Sequence, residues 1–158
     1  MDWDSITNPF GTHRRVLKQA LQRTSGPVLE LGAGHESTPY LHEFCLEPQR
    51  HLVTCECDPV WHEKFVHLQS EWHEIILVSE DYASAPVHSF LWWSVALLDH
   101  TLELRKPDAI RLANHAEVVV IHDTEMLDLN GLESIFRWRK LDDAASPKTI
   151  AFSNYLEI

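Results

Sequence analysis

Short apolar runs recur along the chain at nearly even spacing. The five runs begin 24, 23, 20 and 23 residues apart, and apart from Glu30 and Thr54 they are continuously apolar rather than alternating with polar residues. Continuous apolar runs are typical of strands covered on both faces, and the intervals leave room for a crossover helix each time. The pattern therefore predicts a doubly wound, Rossmann-like α/β fold, in which a mostly parallel sheet carries flanking helices. The predicted parallel strands are Val28–Leu31, Leu52–Cys55, Ile75–Val78, Val95–Leu98 and Val118–Ile121.

Helical periodicity in the intervening segments agrees with this interpretation. Residues 13–24 form one amphipathic segment before the first strand. A second follows the second strand, with Asp58 as its N-cap and Pro59 in its first turn. Pro107 is predicted to open a third helix, which ends by Asn114. The apolar faces of the first two helices are Val16, Leu17, Ala20 and Leu21, and Trp61, Phe65, Leu68 and Trp72.

The pattern changes after the fifth strand. Residues 135–141 and 149–156 are each typical of a strand, and the turn-rich DDAASP segment lies between them. This arrangement predicts a C-terminal antiparallel hairpin added to the parallel sheet. The length of 158 residues fits one domain, which we expect to span residues 1–158.

Charge narrows the range of partners. The 13 basic and 24 acidic residues give a net charge of −11, which disfavours attraction to nucleic acid or to anionic membranes. No apolar run approaches the roughly 20 residues needed to span a bilayer. The first ten residues also lack the basic and apolar regions of a signal peptide. We therefore expect a cytoplasmic protein with no membrane or nucleic-acid partner.

Acidic residues follow four successive predicted strands. They lie where ligands bind in open parallel sheets, outside the carboxyl ends of the strands. Two glycines follow the first strand, where they let the backbone approach a ligand. A nicotinamide dinucleotide site is disfavoured, because Ser37 stands where its fingerprint needs a third glycine. The residues at these strand ends are Gly32 and Gly34, Glu56, Glu80 to Tyr82, Asp99 and His100, and His122 and Asp123.

Four of these segments resemble the class I S-adenosylmethionine-dependent methyltransferases. VLELGAG is similar to the first motif of that superfamily, TCECDP to the second, SEDY to the adenine-contacting loop and ALLDH to the fourth motif. The resemblance implies S-adenosylmethionine as cofactor and methyl transfer as the reaction. By this resemblance the cofactor-binding residues are Glu30, Gly32, Gly34, Glu56, Asp81, Tyr82 and Asp99. Glu56 would bind the ribose, and Asp81 and Tyr82 would lie near the adenine.

The last two strand ends supply candidate catalytic residues. Histidine is the residue type best suited to proton transfer near neutral pH, which makes His100 and His122 candidates, and Asp99 and Asp123 can orient an imidazole. We predict that one of the two histidines is the base that removes a proton from an oxygen or nitrogen acceptor. A second hypothesis is a Mg²⁺ ion on Asp99 and Asp123, with Glu125 as a further oxygen ligand.

The sequence leaves the acceptor open among small molecules and peptides. The residues available to bind it lie before the first helix, at 105–106 and at 124–131, and none of these segments is long enough to close a pocket alone. We therefore predict that the N-terminal segment, with Phe10, His13 and Arg14, or a second subunit in a homodimer completes the site. The alternative is an inactive module that binds the cofactor or its demethylated product, or that acts as a scaffold. A metal-dependent hydrolase is less favoured, because no H-x-x-x-H or H-x-H spacing is present.

Overall fold

One mixed sheet forms the centre of the fold. The computed structural model describes residues 9–47, 49–87 and 92–158. Within these ranges the sheet has seven strands in the order β3-β2-β1-β4-β5-β7-β6. The strands are β1 Val28–Leu31, β2 Leu52–Glu56, β3 His73–Leu77, β4 Trp93–Leu98, β5 Ala116–Ile121, β6 Trp138–Asp142 and β7 Thr149–Ser153.

The first five strands are parallel, and the strand order reverses between β1 and β4. Strand β7 pairs antiparallel with both β5 and β6, so the C-terminal hairpin extends the sheet at one edge. This topology confirms the predicted Rossmann-like fold. The crevice at the carboxyl ends of β1 and β4 is the place where such sheets bind ligands.

Four α-helices lie among the described residues: α1 Arg14–Gln22, α2 Thr38–Leu46, α3 Pro59–Glu63 and α4 Leu102–Leu112. Apolar residues of α1 and α2 pack on one face of the sheet, and those of α4 pack on the other. Every residue of β1, β2 and β4 is buried, as expected for strands covered on both faces. None of the helices in the described ranges has both the length and the apolar character needed to cross a bilayer.

The helix after β2 is shorter than predicted. Asp58 caps it as expected, accepting hydrogen bonds from the N–H groups of Val60 and Trp61. The α-helix ends at Glu63, however, and a short 3-10 turn follows at Val66–Leu68. Trp72 cannot continue the helix, because its carbonyl already accepts the N–H of Leu52 at the start of the sheet ladder.

Pro107 lies inside α4, so the prediction that it opens this helix is wrong. The helix begins five residues earlier, at Leu102, after Thr101, whose backbone is not helical. Proline in a helix interior leaves one carbonyl without its usual partner, here on the exposed side of the helix. The longer helix places Arg105 beneath the ends of β4 and β5.

Candidate functional site

A cavity of about 510 Å³ opens at the carboxyl edge of the sheet. Its walls come from the segment before α1, the loop after β1, helix α3 and the ends of β4 and β5. This volume lies within the range of about 300–1,000 Å³ typical of ligand pockets. The lining residues are Phe10, His13, residues 33–37, Trp61, Asp99, Arg105, His122, Asp123 and Pro147.

The turn after β1 forms the floor of the crevice. Gly32 has a φ of +90°, a conformation that side-chain-bearing residues rarely adopt. A Cβ atom there would lie 2.6 Å from the carbonyl oxygen of Asp99. Glycine therefore lets β1 and β4 close together at the point where the strand order reverses. Gly34, two residues on, lines the cavity itself.

Glu56 ties the end of β2 to the same loop. Its Oε2 accepts the N–H of Ala33 at 2.9 Å. Its Oε1 accepts the N–H groups of Cys57 and Asp58 at 2.8 and 2.9 Å. A carboxylate has about four lone-pair sites, so most of this one is used within the protein.

Glu30 is fully buried within β1. Its Oε2 accepts a hydrogen bond of 2.7 Å from the hydroxyl of Thr54, and its Oε1 has no partner among the described residues. Burial raises the pKa of this carboxyl to about 7, although hydrogen bonds oppose the shift. Glu30 lies beneath the glycine turn rather than on the cavity wall.

The loop after β3 places its two candidates differently from each other. Asp81 is exposed and accepts hydrogen bonds from the Ser79 hydroxyl at 2.6 Å and the Ala83 N–H at 3.0 Å. Tyr82 has a φ of +53° and is buried, with its ring 4.6 Å from that of His100. Neither side chain lines the cavity.

His100 faces away from the cavity. Its Nε2 lies 2.9 Å from Oδ2 of Asp108 on α4, and its side chain is fully buried. Its backbone nevertheless belongs to the end of β4, beside the glycine turn. His100 thus contributes to the site through its main chain.

Arg105 joins the ends of β4 and β5 from helix α4. Its Nε donates to the carbonyl of His100 at 2.7 Å, and its Nη1 donates to the carbonyl of His122 at 2.8 Å. The guanidinium also contacts Asp123 at 3.1 Å and Asp99 at 3.2 Å. This buried group fixes two strand ends and two carboxylates. The sequence had suggested Arg105 only as a residue available to bind an acceptor.

The hydrogen-bond network assigns the tautomer of His122. The Thr12 hydroxyl donates to the carbonyl of Pro147 at 2.6 Å, so its oxygen accepts the Nε2–H of His122 at 2.8 Å. In the neutral ring, Nδ1 then carries a lone pair. That atom lies 3.2 Å from Oδ1 of Asp99, so the contact is attractive only if Nδ1 is also protonated and donates to the carboxylate, or if a cation lies between the two atoms.

Asp99 stays ionised despite its surroundings. Burial alone would raise its pKa, but the interactions with His122, then His13, then Arg105 outweigh burial and lower the pKa below its usual value. The neighbouring Asp123 adopts a left-handed φ of +52°. The cavity wall therefore carries two carboxylates held by one guanidinium.

His13 completes the wall from the N-terminal side. It is 1% exposed, and its ring lies 4.7 Å from that of His122 at an angle of 75°. Neither of its ring nitrogens has a hydrogen-bond partner within the described part of the chain. Sequence reasoning named His13 only as a residue available to bind an acceptor, and its proximity to His122 was not foreseen.

The structure does not bring Glu125 into this group. Both of its carboxylate oxygens accept the N–H of Lys148 at 2.8 Å, and one also accepts the hydroxyl of Ser146. Of the predicted site residues, the cavity brings together Gly34, Asp99, His122 and Asp123. Glu30, Gly32, Glu56, Asp81, Tyr82 and His100 lie behind or beside its walls.

Solved structures share this architecture at low sequence identity. The O-methyltransferase from Bacillus cereus, in complex with S-adenosylhomocysteine, is 10% identical with a TM-score of 0.69, over 93% of this chain and 82% of that one. The RNA methyltransferase from Salinibacter ruber, in complex with the same molecule, is 15% identical with a TM-score of 0.60, over 91% and 93%. The fibrillarin pre-rRNA processing protein from Methanococcus jannaschii is 14% identical with a TM-score of 0.61, over 87% and 70%. The chain thus has the fold of the class I S-adenosylmethionine-dependent methyltransferases.

No protein-family model matches the chain, and no curated protein matches it either. The similarity to the solved structures therefore concerns the fold, and the function of the site must be inferred from the residues of this chain.

Proposed function

We propose that this protein is an S-adenosylmethionine-dependent methyltransferase that acts on an oxygen or nitrogen atom of a small-molecule or peptide acceptor. One observation carries the proposal: the cavity lies where the strand order reverses, with the glycine turn as its floor and Asp99, His122 and Asp123 in its wall. Two proteins of the same fold, from Bacillus cereus and Salinibacter ruber, have S-adenosylhomocysteine bound. The cavity volume suits a ligand of that size.

The residues on the cofactor side fit an adenosyl group. In our proposal the turn at Gly32 and Gly34 lets the methionine portion approach the backbone, with Glu30 beneath it. Glu56, at the end of β2, has lone-pair capacity left for a ribose hydroxyl. The loop after β3, which carries Asp81 and Tyr82, would form the adenine side through its backbone, since neither side chain lines the cavity. When bound, the cofactor supplies an electrophilic methyl group.

On the acceptor side, the chain's own groups hold and deprotonate the nucleophile. We assign this role to the wall formed by Asp99, His122 and Asp123, because Nδ1 of His122 presents its lone pair beside an ionised carboxylate. His100 acts as a positioning residue, since its carbonyl accepts Arg105 and its ring anchors α4 through Asp108.

The acceptor class follows from charge. The chain carries a net charge of −11, and the cavity wall presents the three carboxylates of Glu36, Asp99 and Asp123 against the one guanidinium of Arg105, which favours neutral or cationic acceptors. The comparison with solved structures does not support the exclusion of nucleic acid, because two of the structures with this fold are an RNA methyltransferase and a pre-rRNA processing protein. We propose that the N-terminal segment, with His13 inside and Phe10 73% exposed at the rim, closes the acceptor side.

A binding module without catalysis is the second candidate. It is favoured by the engagement of Glu56 with three backbone N–H groups and by the burial of Tyr82 in the core, which both place cofactor candidates in structural roles. Such a protein would bind S-adenosylhomocysteine at the same place and transfer no methyl group to any acceptor.

Calorimetric titration tests the proposal directly. The protein should bind S-adenosylmethionine and S-adenosylhomocysteine but not NAD. Glu56→Gln should weaken binding by about 1–3 kcal/mol, because the amide nitrogen would replace one carboxylate acceptor. Glu63→Gln, an exposed change on α3, is the matched control and should leave affinity unchanged. Absence of binding by the native protein would refute the proposal.

A further inference from the structure

The three side chains His13, Asp99 and His122 meet inside the cavity. Each of the three offers one potential ligand atom, and these atoms all lie within 4.8 Å of one another. Among the described residues, no other group of three or more histidine, cysteine or acidic side chains meets this distance. They come from three separate elements: the turn before α1, the end of β4 and the end of β5. No sequence spacing predicts this set, which differs from the all-oxygen set of Asp99, Asp123 and Glu125.

We propose that His13, Asp99 and His122 bind one divalent transition-metal ion, of the Zn²⁺ or Co²⁺ type, in this cavity. Two imidazoles and one carboxylate suit such ions, whereas Mg²⁺ prefers oxygen ligands. Three protein ligands on a cavity wall leave positions open for water or a substrate.

His122 and Asp99 already have the separation that a shared ion requires. Two atoms bound to one ion at about 2.1 Å lie about 3.0 Å apart at an octahedral angle and about 3.4 Å apart at a tetrahedral angle. Nδ1 of His122 and Oδ1 of Asp99 are 3.2 Å apart. Both atoms are acceptors in the neutral tautomer, so a metal ion between them would remove their repulsion, as a proton on Nδ1 would.

The surrounding hydrogen bonds are those of a metal site. Ligating histidines usually donate their other N–H to an oxygen, and ligating carboxylates are themselves hydrogen-bonded. Here Nε2 of His122 donates to the Thr12 hydroxyl, and Asp99 contacts Arg105. Thr12 is held in turn by the carbonyl of Pro147. These contacts orient the lone pair of His122 toward the cavity.

His13 supplies the independent observation. A buried imidazole with neither nitrogen paired is costly, and this one lies on the cavity wall. Its backbone is fixed, because its carbonyl accepts the N–H of Leu17 in the first turn of α1. Its position within 4.8 Å of the other two ligands is close enough for side-chain rotation to close the set. A metal ion would give this ring the partner that it lacks.

A metal ion at this site would deepen the proposed function. The catalytic use of the ion rests on that proposed function, whereas the binding of the ion is independent of it. The same lone pair on His122 takes either a proton or the ion. With the ion bound, an acceptor hydroxyl at an open position would lose its proton more readily.

Direct metal binding tests the proposal. The full chain is freed of metal with a chelator and titrated with Co²⁺ by visible absorption and with Zn²⁺ by calorimetry. We expect one site per chain, with ligand-field bands of nitrogen and oxygen ligation. His13→Gln and Asp99→Asn should each weaken binding at least tenfold. His35→Gln, which changes a cavity-lining histidine outside the set, should leave metal binding unchanged.

Surface histidines are the main competing explanation, because the chain has 11 histidines. Binding that persists unchanged in His13→Gln and Asp99→Asn would overturn the proposal, as would the absence of a stoichiometric site in the native protein. Circular dichroism checks that each variant is folded. S-adenosylhomocysteine titrations on the same samples separate the two claims. If the protein binds S-adenosylhomocysteine but no metal ion, only the metal site is refuted. If it binds the metal ion but not S-adenosylhomocysteine, only the proposed function is refuted.

Discussion

Replacing Gly32 with alanine should damage both the fold and the site. Two separate costs arise at this position. The φ of +90° is strained for any residue with a Cβ, at about 1–2 kcal/mol. The new Cβ would also lie 2.6 Å from the carbonyl oxygen of Asp99 and 2.7 Å from the N of His100. These are backbone atoms of a buried strand end, so relief requires β1 and β4 to separate, at a further cost of about 1–3 kcal/mol.

Gly131 offers a matched control. Its φ is also +90°, but a Cβ there meets nothing within 4 Å. Gly131→Ala should therefore lose only the free energy that the positive φ costs. The difference in stability between the two variants then measures the cost of the clash between β1 and β4.

Urea unfolding measures both variants. The free energy of unfolding follows from the midpoint and the slope, and we expect Gly32→Ala to lose about 1–3 kcal/mol more than Gly131→Ala. Affinity for S-adenosylhomocysteine should fall in Gly32→Ala and remain in Gly131→Ala. Equal losses of stability would refute the argument that the chain needs glycine at this crossing.

Two further substitutions test the buried charges. Burial raises the pKa of Glu30 from 4.5 to about 7. Its contribution to stability is therefore complete below pH 4.5 and is lost as the pH rises through 7. Across that window the free energy of unfolding of Glu30→Gln should rise relative to that of the native protein, by at most about 1.4 kcal/mol per pH unit. Denaturation at several pH values measures this, and a constant difference would contradict it. Arg105→Lys keeps the charge but loses the fork that bonds two carbonyls and contacts Asp99 and Asp123, so it should cost about 3–5 kcal/mol if these groups are left unpaired. A variant as stable as the native protein in urea would show that the clamp is dispensable.

The sheet was predictable from sequence because its central strands are buried on both faces. Their apolar runs do not alternate with polar residues, as the sequence of a strand exposed on one face would, and the spacing between the runs fits crossover helices. Residues 95–98 and 118–121 lie within β4 and β5 as observed. The cap at Asp58 was equally local, since its partners are two and three residues away.

Contacts between distant segments could not be derived from the sequence. Thr12 bonds His122 across 110 residues, and this contact sets the tautomer of the ring. The closeness of His13 to His122 depends on how α1 packs against the sheet, which periodicity does not specify. Arg105 was misplaced for a different reason: Pro107 normally marks a helix start, and here the helix begins earlier.

Candidate chemistry was also hard to assign from residue type alone. Strand-end position identified Asp99, His122 and Asp123, which share the cavity wall. The same signal marked His100, whose ring turns toward Asp108 instead. Adjacent strand residues usually point in opposite directions, which accounts for Asp99 and His100, whereas His122 and Asp123 both line the cavity.

The central claim is that an adenosyl sulfonium binds above the glycine turn. A crystal structure of the protein soaked with S-adenosylhomocysteine tests it most directly. Our account predicts density along the loop after β1, with the ribose at Glu56 and the sulfur facing Asp99 and His122. A molecule bound elsewhere, or no bound molecule in crystals whose cavity is open to solvent, would contradict it.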